Sequence, residues 1–416
     1  MKKLLLSTSL LLGCTFGNAQ SVTDTVYIGA GYANQTWYSL PNDEQGHAPN
    51  AEWHLAFDVT GFGSTVLINS VAGLNIWTYP SSGISGWSSV DTTGLSSWSM
   101  RYNSDTSWSY GALGRYLNSS NPYDVGWGEY NMTTHQIVGD SIYIVKTPAG
   151  AFKKFAITSL NSGIYNFKYA NLDGSGLMTK TLDKSNFANK NFGYFSFSTD
   201  TSFNREPDNT NWDLLFTQYT GFIPQAYTLT GVLTNKGMTV AKCSNIIGKD
   251  TFVTWGAGTY MPEINTIGYD WKHFNGTSYT IQDSLVYFVA RTNGEIWKMI
   301  FTGYTGSTNG GFIFSKEKLY TPTSVANVNE LNVGLAVYPN PTVGGRTNLV
   351  INALENSNGM NVTITDLKGS VIFSQTMEGT TGLHQIALNT TTWAQGMYVV
   401  RVADEKSAKT TMLEVR

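Results

Sequence analysis

The chain has 416 residues, enough for two or three domains, and its formal net charge of -3 with no basic block excludes nucleic acid and anionic membranes as charge-driven partners. Charged residues make up 13% and aromatic residues another 13%, a mixture that suits short strands joined by polar turns and excludes a fold of long amphipathic helices. Only Cys14 and Cys243 occur, and Cys14 falls in the leader, so an intrachain disulfide is excluded and burial must hold the mature fold.

Residues 1–20 read as a signal peptide. Lys2 and Lys3 form a positive n-region, Leu4 to Leu12 a short apolar run, and Gly17-Asn18-Ala19 a small-residue cleavage site before Gln20. The run is far short of the roughly 20 apolar residues that span a bilayer. Leu11-Leu12-Gly13-Cys14 also fits a lipobox, so lipoprotein processing at Cys14 is the alternative to signal peptidase I cleavage. No later apolar stretch is long enough to cross a membrane as a helix. The mature chain is expected to be secreted or held at the outer cell surface.

Residues 21 to about 320 carry the same landmarks twice. Ala51-Glu52-Trp53-His54-Leu55-Ala56-Phe57 answers Thr210-Asn211-Trp212-Asp213-Leu214-Leu215-Phe216. Upstream, Trp37-Tyr38-Ser39 answers the aromatic stretch Gly193 to Ser198; downstream, Asp140-Ser141-Ile142-Tyr143 answers Asp283-Ser284-Leu285-Val286-Tyr287. A period this long indicates tandem domains rather than a solenoid, and the split is expected at 21–178 and 179–320. From Trp53 to Asp140 the chain runs 87 residues, but from Trp212 to Asp283 only 71, which places an elaborated loop near Ser81 to Ser109. Alternation predicts that Trp53, Leu55 and Phe57 face a core while His54, Ala56 and Asp58 face outward.

Little points to catalysis. Five histidines occur, with no H-E-x-x-H, G-x-S-x-G or P-loop pattern, so a non-enzymatic role without catalytic residues is expected. The acidic pairs Asp43-Glu44 and Glu206-Pro207-Asp208 sit in turn-like segments, and Asp208, Asn209 and Asn211 lack a calcium-loop pattern. No metal site is expected. Trp87, Trp98, Trp108 and Trp127 in the first half are candidates for stacking on sugar rings; the alternative is that they pack beneath the long loop.

The aromatic strand Phe195-Ser196-Phe197-Ser198, the W-[DH]-L-x-F strand and the D-S-x-x-Y-x-V strand together resemble the HmuY-like domain, so residues 21–178 and 179–320 read as two tandem HmuY-like β domains. The resemblance implies haem binding at the bacterial surface, transfer to an outer-membrane receptor, and two His or two Met as axial ligands. In that pattern a ligating His follows the W-D-L-x-F strand directly, where this chain has Asp58 and Thr217, neither a usual haem ligand. Met238, His54 and Met261 are the remaining haem-ligand candidates, with Met100 and Met132 as options in the first half. A lone Met in a β domain is ordinarily core filler. The alternative is a surface adhesin or glycan-binding protein that has lost haem binding.

A polar linker at 321–336 leads to Val337-Tyr338-Pro339-Asn340-Pro341 and then to six short alternating runs, the last being Thr411 to Val415. Asp366-Leu367-Lys368-Gly369 reads as a hairpin turn, and residues 337–416 are expected to form a small C-terminal β-sandwich. Tyr338, Pro339, Asn340 and Pro341, with Gly369, Gly396 and Tyr398, resemble in order and spacing the type A C-terminal sorting domain of the type IX secretion system. The resemblance implies the type IX secretion machinery as a partner. The chain as a whole is expected to be all-β.

Overall fold

A computed structural model describes residues 21–322, 329–343, 345–354, 356–357, 359–404 and 407–416; residues 1–20, where a signal peptide is expected, and linker residues 323–328 lie outside them. Strand accounts for 49% of the chain, and the helical segments among the described residues are 3-10 turns of three to six residues. The all-β expectation holds, because β-branched and aromatic residues alternate with polar ones between glycine turns.

Residues 21–320 form two sandwiches. In the first, a seven-stranded sheet that includes Phe152–Asn161 and Ile164–Asn171 faces a four-stranded sheet that includes Leu55–Asp58. Phe57, Phe155, Phe167 and Phe195 meet in the core between them. In the second, a six-stranded sheet that includes Val286–Ala290 and Ile296–Tyr304 faces a four-stranded sheet that includes Leu214–Phe222, around Phe216, Trp271, Phe301 and Phe314.

The sandwiches are not consecutive in the chain, which corrects the division at 178/179. Each borrows its opening hairpin from the other half. Phe192–Ser196, at the start of the second repeat, pairs with Leu55–Asp58 of the first. Asn34–Ser39, at the start of the first repeat, pairs with Leu214–Phe222 of the second, and Val22–Tyr27 pairs with Gly311–Tyr320. Alternation says which face a residue takes but not which strand lies alongside, and two copies of one landmark strand offer near-equal partners.

The exchange is symmetrical to the residue. Leu55, Ala56 and Phe57 lie opposite Ile68, Leu67 and Val66, while Leu214, Leu215 and Phe216 lie opposite Thr234, Leu233 and Val232. The Asn69 amide donates to the carbonyls of Asn50 and Trp53 at 2.6 and 3.0 Å, and the Asn235 amide to those of Asn209 and Trp212 at 2.7 Å each. A further landmark, Val66-Leu67-Ile68-Asn69 and Val232-Leu233-Thr234-Asn235, thus belongs to the repeat.

The predicted faces of the landmark strand need correction. Strand geometry starts at Leu55, so Trp53 turns away from Leu55 and Phe57 and packs with Ala56, Leu67 and Tyr194. The opposite face is not outward either: His54, Ala56 and Asp58 are all buried. The two four-stranded sheets cover each other there.

The C-terminal module is a sandwich of a five-stranded and a three-stranded sheet around Leu349, Ile364, Val400 and Leu413. Asp366 closes the predicted hairpin by accepting from the Lys368 and Ser370 amides at 2.8 and 2.9 Å, and Gly369 sits at φ +87°, open to glycine at little cost. Gly396 heads the strand Gly396–Ala403, and the buried Tyr398 donates to the Ala394 carbonyl at 2.7 Å. Tyr338 is exposed, whereas Asn340 binds the last strand from both ends of its amide, to the Met412 carbonyl and the Glu414 N–H at 2.8 Å each. Asn340→Ala is therefore expected to destabilise this module by about 1–3 kcal/mol. A denaturant melt and the fraction of chain exported would register the change; equal stability and export would refute it.

Candidate binding site

The three expected haem ligands do not converge. His54 is 2% exposed in the first sandwich, and its Nδ1 accepts the Phe197 N–H at 2.9 Å. Burial pushes its pKa down, which keeps the ring a neutral acceptor. Asp213 does the same in the second sandwich, accepting the Leu40 N–H at 2.7 Å. The alternation of His and Asp after the landmark Trp therefore has a structural cause: either acceptor holds the borrowed strand. Met238 is buried among Val240, Leu285 and Trp271, while Met261 is 40% exposed on the two-residue edge strand Tyr260–Met261. None of the three lines either of the two cavities described next.

The first cavity lies between the four-stranded sheets. Trp37, Trp53, Trp108 and Trp212 wall it, and its open volume is about 80 Å³. That holds two or three waters, far below the roughly 300 Å³ at which small-molecule pockets begin. The rest of this interface is packed. Trp108 wedges between the sandwiches and donates to the Thr234 carbonyl at 2.7 Å. Arg205 sits over the rings of Trp37 and Tyr194 at 5.1 Å each and donates to Glu52 at 2.8 Å and to Gln35. Lys236 of one sandwich pairs with the buried Asp58 of the other at 2.8 Å.

The other candidate tryptophans are also engaged. Trp127 is fully buried, Trp87 lies beneath Lys168 and Lys154, and Trp98 rests on Tyr79. Trp87 and Trp98 keep part of their surface exposed, and Trp127 keeps none.

A second cavity of about 290 Å³ opens in the first sandwich. Thr78, Arg101, Tyr116, Asn118, Asp124, Asp140, Ser141 and Tyr143 supply its polar lining. Most of these lie in the connection from Thr78 to Trp127, 49 residues long against 29 between the equivalent Lys242 and Trp271. Trp127 and Trp271 correspond because each is fully buried ahead of a hairpin and donates its indole N–H to a backbone carbonyl, Ser64 at 2.8 Å and Gly268 at 3.2 Å. The guanidinium of Arg101 lies 4.2 Å from the Tyr116 ring centre, and its Nε donates to Thr78 Oγ1 at 3.1 Å. Burial and the nearby Asp124 charge push the Asp140 carboxyl up. Sequence reasoning missed Arg101, Tyr116, Asp124 and Asp140 as site residues. The one signal for them was the length difference between the repeats.

Residues 336–415 match the secretion system C-terminal sorting domain family. No curated protein matches the chain. Among solved structures, a C-terminally truncated trimeric ectodomain of a mutant C. elegans fusion protein EFF-1 is similar at 8% identity with a TM-score of 0.16, over 66% of this chain and 68% of that one. Overlap at that level carries no argument about fold. The sorting domain marks the chain as cargo of the type IX secretion machinery, secreted or kept at the cell surface.

Proposed function

We propose that this exported chain is a non-enzymatic binding protein of the outer surface, an adhesin-type module that takes a glycan in the cavity beside Arg101. The carrying observation is the placement of that cavity. Most of the cavity's lining comes from the connection that is longer in the first repeat, and Asp140, Ser141 and Tyr143 of a shared landmark close it. Its carboxylates and side-chain oxygens can accept from sugar hydroxyls, Arg101 can donate to them, and the half-exposed Tyr116 offers a ring face. Its size suits one or two sugar rings.

The resemblance to haem-binding domains gains no support from the ligand positions. Neither His nor Met lines the larger cavity, and the smaller one cannot admit a macrocycle. Haem added to the mature protein is expected to keep its free absorption spectrum, and a shifted Soret band would revive that reading. Calorimetry against monosaccharides, followed by a glycan array, tests the proposal. Asp140→Asn and Tyr116→Ala are each expected to weaken sugar binding by about tenfold. A chain that binds no sugar on either assay ends the proposal.

A further inference from the structure

Resting on the glycan reading, we infer that the sugar is an acidic one whose carboxylate docks on Arg101. Arg101 has an unusual position for a half-buried arginine. Two carboxylates line the same cavity, yet among the described residues its two terminal amino groups meet no acceptor; only Nε is engaged, on Thr78. Arg205 and Arg291, by contrast, both hold ion pairs. The nearby acids are satisfied within their own loops. Asp124 accepts from the Gly126 amide at 2.6 Å and from the Asn118 amide, and Asp140 accepts from Ser141 Oγ at 2.6 Å. The guanidinium fork is thus left for a ligand, with its central carbon 4.2 Å from the Tyr116 ring centre.

A fork of two parallel N–H donors matches a carboxylate or phosphate in a way that a neutral hydroxyl cannot. The flanking acids decide between those anions. A phosphate dianion beside Asp124 and Asp140 meets about twice the repulsion of a carboxylate monoanion at the same distance. Burial pushes the Asp140 carboxyl up, the direction that eases its repulsion of a bound anion. A uronic-acid residue satisfies every part: one carboxylate for the fork, and hydroxyls for Asn118, Asp124 and Ser141.

The test is calorimetry of the full mature chain with glucuronate, glucose and inorganic phosphate at pH 7. Glucuronate is expected to bind about ten- to a hundredfold tighter than glucose. Arg101→Gln should erase that preference while leaving weak glucose binding. Arg101→Lys keeps the charge without the fork, so it should lose most of the preference with an unchanged melting curve. Equal binding of glucuronate and glucose, or phosphate binding as tight as glucuronate, overturns the acidic-sugar inference and leaves the glycan reading standing. Glucose and glucuronate both failing to bind, with a glycan array that is also silent, removes the glycan reading itself.

Discussion

Expressed separately, residues 21–178 and residues 179–320 are each expected to remain unfolded, and to fold when produced together. The first fragment lacks Leu182, Phe187, Phe195 and Phe197 from its core and leaves one edge of Leu55–Asp58 unpaired. The second loses as much, because Val26, Ile28, Tyr38 and Leu40 all belong to its main core, and Trp37 to the interface behind it. Five buried side chains of this size are together worth on the order of 10 kcal/mol. That is as large as the whole stability of a typical domain, about 5–15 kcal/mol. Circular dichroism and amide proton dispersion of each fragment, alone and mixed, give the answer. A cooperative melt from either fragment alone would contradict the strand exchange.

Arg205→Ala is expected to cost about 2–4 kcal/mol, through the void left among three rings and the lost donors. The side chain is 2% exposed, walled by Trp37, Trp53 and Tyr194, and it also donates to the Pro49 carbonyl at 2.8 Å. The ion pair with Glu52 contributes little of this, since Glu52 is one-third exposed. Arg205→Met keeps most of the packing volume and should lose clearly less than Arg205→Ala. Chemical denaturation measures both. Equal midpoints for the parent chain and Arg205→Ala would mean that the two sandwiches are not joined through this residue.

The elements written most plainly in the chain are those set by local chemistry. The C-terminal strands, the Asp366-Leu367-Lys368-Gly369 hairpin and the ends of the landmark strands follow from alternation and turn residues, which act over a few positions. The same local reading failed at Trp53. Its place in the period predicts a position beside Leu55 and Phe57, but the strand has not yet begun there, and a second sheet covers the face expected to be outward. The candidate site was less legible still. Arg101 and Tyr116 lie 15 positions apart in a segment without periodicity, and Asp140 comes from the far side of a hairpin.

The amino-acid order alone determined that this is a β protein with a repeated central part and a terminal export module, because alternation, turns and short motifs are properties of neighbouring residues. Tertiary structure alone decided which half each opening hairpin serves, that His54 and Asp213 hold a borrowed strand, and that one repeat encloses a polar cavity. Those outcomes depend on competition between strands far apart in sequence, and near-identical strands compete on equal local terms until the surrounding core selects one pairing.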